Sequence, residues 1–202
     1  IGSYTSGPHK AWETEGALAA IDFAPPSVES GCLPSDEWIV ASASGSVVRS
    51  EHGAVVLDLD ATGSNQNSTN TVSDGNEHTG WALLYMHVAA KNRVPVGTNL
   101  QAGDPIGHPS CEGGPATGTH IHIARKFYGE WIAADGPVPF VMDGWVAHAG
   151  YRPFEGTLVR DGITIRANIF SPGSSFISRD AQGTYRINRF IHQNQYRRRL
   201  CD

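Results

Sequence analysis

The chain has 202 residues, 23 of them glycine and 12 proline, with 17% charged residues and a formal net charge of −5. That length can bury a full core, the turn-forming composition argues against a helical protein, and the mild acidity gives no reason to expect nucleic acid or an anionic membrane as partner. No run approaches the ~18 apolar residues of a membrane span, and the start at Ile1 rather than Met suggests a processed or truncated product.

In chain order, residues 1–24 end in "GALAAIDFAPP", a short apolar strand stopped by Pro25 and Pro26. "DEWIVASASGSVVRSEHGAVVLDLD" (36–60) reads as three short strands separated by glycine turns at Gly45 and Gly53. The polar stretch 61–80 reads as a long exposed loop. "WALLYMHVA" (81–89) returns to strand character, and 93–118 is a chain of turns with small strands. "THIHIARKFYGEWIAAD" (119–135) reads as a β-hairpin about Tyr128-Gly129. No long amphipathic helix is evident. The expectation is all-β: a compact antiparallel sheet with a groove over roughly residues 1–150, carrying long loops. After Trp145 a second hairpin, 156–172 about Arg160-Asp161-Gly162, predicts a small C-terminal β annex. Five of the fifteen basic residues crowd into 186–202, where a solvated end is expected.

The chemistry starts at "GTHIHIARK", where His120 and His122 stand two apart in an apolar run. On a strand, side chains i and i+2 share a face with Cα atoms roughly 6.5–7 Å apart, so both rings can converge on one point. Buried imidazoles need partners, and a metal ion is one common answer. Asp22, flanked by Ile21 and Phe23, is a carboxylate inside an apolar strand and is costly there unless paired or coordinated. His87 is embedded in "LLYMHVA", and His9 lies in "TSGPHKAW", a glycine–proline turn before a strand. A hydrolytic zinc site needs three ligands and one open position, which His9, Asp22 and one of the HxH pair could provide. The other imidazole and His87 are then free to handle protons or steady an oxyanion.

Five segments, "SGPHKAW", "ALAAIDFAPP", "LLYMHVA", "AGDPIGHPSCEGGPATGTHIHIA" and "GEWI", resemble in their order the lysostaphin/LasA/LytM-like zinc endopeptidases, the M23 family. The resemblance implies a zinc endopeptidase domain over 1–146, followed by an extension over 147–202 packed on it. It matches His9, Asp22 and His122 to ligands of one zinc ion and His120 and His87 to the catalytic histidines. It implies hydrolysis of amide bonds in peptidoglycan stem or cross-bridge peptides, or of glycine-rich peptides, by a secreted or cell-envelope bacterial enzyme acting as a monomer. With no HExxH in the chain, an imidazole must take the water's proton, and His120 is the expected acceptor with His87 as its partner. Which ring is neutral and which charged stays open. One departure is the twelve residues between His9 and Asp22, where the best-known members have three; the longer spacing resembles the LasA branch. The alternative is an inactive domain of the same fold acting as a cell-wall binding or activator module.

The remaining features have blander readings. His108 reads as a loop residue, and His52, His78, His148 and His192 as surface groups. "DLDATGSNQ" places Asp58, Asp60 and Thr62 like a faint calcium loop, with a plain polar turn preferred. Asn67 heads a glycosylation sequon only in a host that glycosylates secreted proteins, and is otherwise loop composition. Of the three cysteines, Cys32 and Cys111 could form a disulfide tethering one groove wall or stay as thiols, and Cys201 is expected unpaired. Tyr4 and Trp12 could line a groove, and Tyr85 could donate to an oxyanion, or all three could simply pack.

Overall fold

The computed structural model describes residues 2–12, 17–26, 31–60, 75–170 and 172–177. The features expected at Thr62, Asn67, His192, Cys201 and the arginine-rich end lie outside the described residues, as does most of the polar stretch 61–80.

The described residues form fifteen strands and no α-helix. In chain order these are β1 (Gly2–His9), β2 (Ala20–Ala24), β3 (Ile39–Val40), β4 (Gly45–Glu51), β5 (Ala54–Asp58), β6 (Trp81–Met86), β7 (Asn99–Leu100) and β8 (Pro105–Gly107). They continue as β9 (Ile121–Phe127), β10 (Glu130–Trp131), β11 (Val141–Met142), β12 (Trp145–Ala149), β13 (Gly156–Arg160), β14 (Ile163–Arg166) and β15 (Phe176–Ile177). One sheet runs β15-β1-β2-β9-β6-β5-β4-β7 with β10 paired to β9; a second runs β11-β12-β13-β14, and β3 pairs with β8. Every ladder is antiparallel. The all-β expectation holds.

The pleat of the large sheet sorts its residues into two unlike faces. Ile21, Phe23, Val55, Leu57, Leu83, Tyr85, Ile121 and Ile123 turn to one side and form the main core. Their alternates, Ala20, Ala54, Val56, Ala82, Leu84 and Ala124, make a shallower cluster on the other side. Asp22, Met86 and His122 follow the second set in the pleat. The bulky face anchors the sheet, and the small-residue face leaves room for a site above it.

Turns obey the twist of the sheet. His52-Gly53, Tyr128-Gly129, Asp143-Gly144 and Asp161-Gly162 each have two successive positive φ angles, the mirror-image turn that fits two-residue hairpins. Three of these were readable in the sequence; the Asp143-Gly144 turn, which joins β11 to β12, was overlooked despite its D-G signal. Gly45, expected as a turn, is instead the first residue of β4, where a side chain would collide with the Asp58 carbonyl of β5.

The expected turn around His9 is also corrected: "SGPH" continues β1 to its end. Pro8, which has no amide hydrogen to offer a ladder, is tolerated because the β1–β2 register shifts between Ser6 and His9. Gly7 is required because the backbone at Glu155 and Gly156 closes onto it. The second sheet is thereby knitted to β1. Gly7 N–H donates to the Phe154 carbonyl (2.7 Å), Phe154 N–H to the Pro8 carbonyl (3.2 Å), and Asn168 N–H to the Tyr4 carbonyl (3.1 Å). Trp145, Ala147 and Leu158 of that sheet are buried in the same core as Tyr4 and Ile21.

Candidate metal centre

Three neighbouring strands bring His9, Asp22 and His122 together. Asp22 of β2 lies directly opposite His122 of β9, and His9 ends β1 on the far side of β2. His9 Nε2 is 3.0 Å from His122 Nδ1 and 3.3 Å from Asp22 Oδ1, and His122 Nδ1 is 3.1 Å from Asp22 Oδ1. Zinc bonds of ~2.0–2.1 Å in a tetrahedron set its ligand atoms roughly 3.3–3.4 Å apart, so this triangle has close to the required edge. All three side chains are buried.

The proton positions on the two rings follow from their other contacts. His9 Nδ1–H donates to the Gly7 carbonyl (2.8 Å) and His122 Nε2–H donates to the Ala11 carbonyl (2.8 Å). A carbonyl only accepts, so the inward nitrogens are left bare. Two lone pairs and a carboxylate oxygen therefore converge within hydrogen-bond reach of one another. Such a group needs one shared cation, either a proton or a metal. The carbonyl contacts are also what a metal-binding imidazole uses to fix its tautomer and orientation. Burial opposes ionising Asp22, but the hydrogen bonds and charge of His122 and His9 outweigh it and hold its carboxyl well below the usual range. Burial likewise opposes charge on His9, and the Asp22 hydrogen bond and charge overcome it, raising the imidazole pKa.

His87 and His120 sit beside this triangle as a separate pair with ring centroids 4.3 Å apart. Loops, not strands, hold them. His87 lies one residue past β6 with φ of 68°, a left-handed conformation that ends the pleat. That twist has a consequence for Tyr85. Regular alternation would put both side chains on one face; instead Tyr85 stays in the core, its hydroxyl accepting from Ser42 N–H (2.8 Å), while His87 turns toward His120. Tyr85 is therefore remote from any oxyanion at this site. His87 Nδ1–H donates to the Glu112 carbonyl (2.8 Å), and His120 Nδ1–H donates to the Gly118 carbonyl (2.7 Å). His120 Nε2 is 3.8 Å from Asp22 Oδ2. Burial, then the nearby charge of His120, pushes the His87 pKa down to about 4, so its ring is neutral near pH 7.

The loop carrying those two carbonyls is pinned at several points. Ser110 N–H donates to the His87 carbonyl (2.7 Å), and His120 N–H donates to the Ser110 carbonyl (3.3 Å). Thr119 N–H donates to the Gly31 carbonyl (3.0 Å), and its hydroxyl to the Leu33 carbonyl. Between Gly31 and Leu33, Cys32 forms a disulfide with Cys111, next to Glu112. The cross-link left open in the sequence thus ties down the loop that orients both histidines.

All five histidine and aspartate positions line one cleft of about 880 Å³. The other described histidines go elsewhere. His52, His78 and His148 are exposed. His108 is buried, with Nδ1–H donating to the Glu37 carbonyl (2.9 Å) and its ring tilted against Trp38. Tyr4 is wholly inside the core and Trp12 packs beside Arg49, so neither reaches the cleft. Asp60 accepts from Trp81 N–H (2.6 Å) and Asp58 from Asp60 N–H (3.1 Å), fastening the exit of β5 to the start of β6. Sequence reasoning missed Phe154, whose ring stacks on His9 at a centroid distance of 4.5 Å. Nothing local to "YRPFEG" signals a contact with a residue so far up the chain.

The arrangement is that of the M23 metallopeptidase fold. The solved structure of pseudoalterin, described as a novel M23 metalloprotease from the deep sea, superposes with a TM-score of 0.61 at 18% identity, covering 82% of this chain and 89% of that one. Two others match at 20% and 22% identity with TM-scores of 0.42 and 0.41. They are the catalytic domain of the prophage-encoded M23 protein EnpA from Enterococcus faecalis and that of lysostaphin from Staphylococcus simulans, covering 67% and 66% of this chain and 91% and 88% of theirs. The fold assignment rests on the first. No protein-family model matches the chain, and no curated protein does.

Proposed function

We propose that this chain is a zinc endopeptidase that hydrolyses amide bonds in peptidoglycan stem or cross-bridge peptides outside the bacterial cytoplasm. The observation that carries the proposal is the triangle of His9 Nε2, Asp22 Oδ1 and His122 Nδ1, with two further imidazoles at its open side. The donor set, two neutral nitrogens and one carboxylate, suits zinc and leaves a fourth position for solvent. When bound there, zinc supplies a +1 centre that acidifies water and polarises a peptide carbonyl.

The chain's own groups then have separate tasks. The Gly7 and Ala11 carbonyls hold His9 and His122 in the one tautomer that can bind. Asp22 neutralises part of the charge through Oδ1, while Oδ2 faces His120. His120, with Nε2 bare and nearest to the triangle, accepts the proton of the attacking water. His87 starts neutral, its Nδ1–H held by the Glu112 carbonyl, and its ring packs 4.3 Å from that of His120 as a polar, uncharged wall beside the reacting water. The Cys32–Cys111 disulfide supports an oxidising, extracytoplasmic setting. The peptidoglycan substrate rests on the resemblance of the five ordered segments, and the M23 metalloprotease among the structural neighbours supports the peptidase reading.

Digestion of purified muropeptides by the zinc-loaded protein, with mass analysis of the products, tests the reading. Release of peptide fragments at one amide bond is the expected result. Zinc bound at one ion per chain with every wall type left intact overturns it, in favour of a wall-binding or activator module.

A further inference from the structure

The cleft has two unlike walls. On the β1 side stand Pro153, Phe154 and Ile169; on the β6 side stand Gly113, Gly114, Ala116 and Gly118. The floor between them is the strand order β1-β2-β9-β6, three strand spacings or roughly 14 Å across. Gly114 lies over Met86 and His87, where a side chain would be in contact with both. Phe154 lies over His9 at the opposite end, with its ring plane inclined 25° to the imidazole.

Phe154 is held there firmly. Its φ of 73° is a conformation that an aromatic residue rarely adopts, and such outliers persist only when the surroundings impose them. Here its amide and carbonyl both bond to β1, at Pro8 and Gly7. The ring nevertheless remains 58% exposed, and Ile169, which lines the same cleft, is 52% exposed. Two large apolar side chains are thus left open to solvent next to a buried polar triangle, on a wall built by the second sheet and the segment that follows it.

We infer that Phe154 and Ile169 form a specificity wall: the cleft takes an extended peptide whose side chain on the β1 side is apolar and uncharged. This deepens the proposed peptidase activity and rests on it. In an extended chain, successive side chains point to opposite sides, so a peptide crossing the triangle turns every second one toward this wall. The β6 wall, Gly113 to Thr119, is made of glycine, alanine, proline and threonine and meets the remaining side chains with small groups and backbone. A charged side chain packed against Phe154 and Ile169 loses hydration to two apolar groups that offer it no hydrogen bond.

The test uses acetylated hexapeptides of glycine with one variable residue at each position in turn: alanine, leucine, phenylalanine, glutamate or lysine. Hydrolysis by the zinc-loaded protein and calorimetric binding are both measured. At one position the wild type should prefer leucine or phenylalanine to glutamate by roughly tenfold or more. Ile169→Lys should shift that preference toward glutamate by about the same factor with metal content unchanged. Phe154→Ala should raise KM for the leucine and phenylalanine peptides with little change in kcat. Ile169→Lys keeps the test decisive where Phe154→Ala disturbs His9 and folds poorly. An unchanged rank order in Ile169→Lys, or no binding of any peptide, overturns the wall. Peptides that bind with the expected ranking but are never cut leave the wall standing and remove the peptidase.

Discussion

The two halves of the site are built in different ways. His9, Asp22 and His122 project from three adjacent strands, so strand register alone sets their separations. His87 and His120 depend on loop carbonyls, at Glu112 and Gly118, and on a cross-link at Cys111. A ladder of backbone hydrogen bonds is cooperative and hard to shift by one residue without turning every side chain over. A loop held at a few points can relax while the sheet beneath it stays intact. The metal half should therefore fail all at once, and the proton half by degrees.

The largest effect tests that separation directly. Asp22→Ala or His122→Ala should lose the metal and, with it, essentially all turnover, more than ~10⁴-fold. Asp22→Ala leaves the two bare nitrogens facing one another, and His122→Ala leaves His9 Nε2 facing the carboxylate alone. His120→Ala should keep close to one zinc per chain and lose roughly 10²–10⁴-fold in kcat. Zinc stoichiometry and hydrolysis rates, measured on the same samples, separate the two outcomes. Metal loss from His120→Ala would mean that the halves are not distinct and that the ligand roles within the HxH pair are exchanged.

The difference between the halves also explains what could be read in the sequence. The strand-borne triangle leaves local traces: a carboxylate inside "AAIDFA", an HxH inside an apolar run, and pleat alternation that puts Asp22 and His122 on the small-residue face. Their order along the chain then suggested the rest. The loop-borne half leaves weaker traces. Alternation misplaced Tyr85 with His87 because a single left-handed residue breaks the period, and no propensity marks histidine for that conformation. His9 was recognised while its β1 setting was not, since the glycine and proline that signal a turn here serve a register shift and a close backbone approach. Phe154 was invisible because its contact with His9 is purely tertiary.

The disulfide gives a smaller and more specific effect. Closing a loop of 79 residues restricts the unfolded chain by about 4.5 kcal/mol on the chain-entropy account, so Cys32→Ser with Cys111→Ser lowers stability by up to that order. The structure adds a functional expectation. Glu112 and Ser110 flank Cys111, and their carbonyls hold His87 and His120, so the double variant should retain zinc while kcat falls roughly tenfold. Unchanged kcat at a temperature where the variant is folded would show that the remaining hydrogen bonds suffice to hold the loop.

The smallest expected effect is in the pH dependence of the metal-free protein, where the two halves carry opposite signs. His87 is pushed down to about 4 from an ordinary value near 6.5 by burial and by His120. Between those values the unfolded chain binds more protons, so this group removes stability as pH falls from about 6.5 to about 4. His9 is raised, because the pull of Asp22 exceeds the burial that opposes it. Its contribution is fully present below about 6.5 and is lost as pH rises through the raised value. Asp22, held below the usual range, adds its own loss only at more acidic pH. Thermal unfolding across this range should show an acid-side slope that His87→Gln flattens and a slope above neutrality that Asp22→Asn flattens. Excess zinc should remove the second slope, since His9 then trades its proton for the metal. An acid-side slope that survives His87→Gln would place the responsible group elsewhere and leave the loop-held pair with no measurable share in stability.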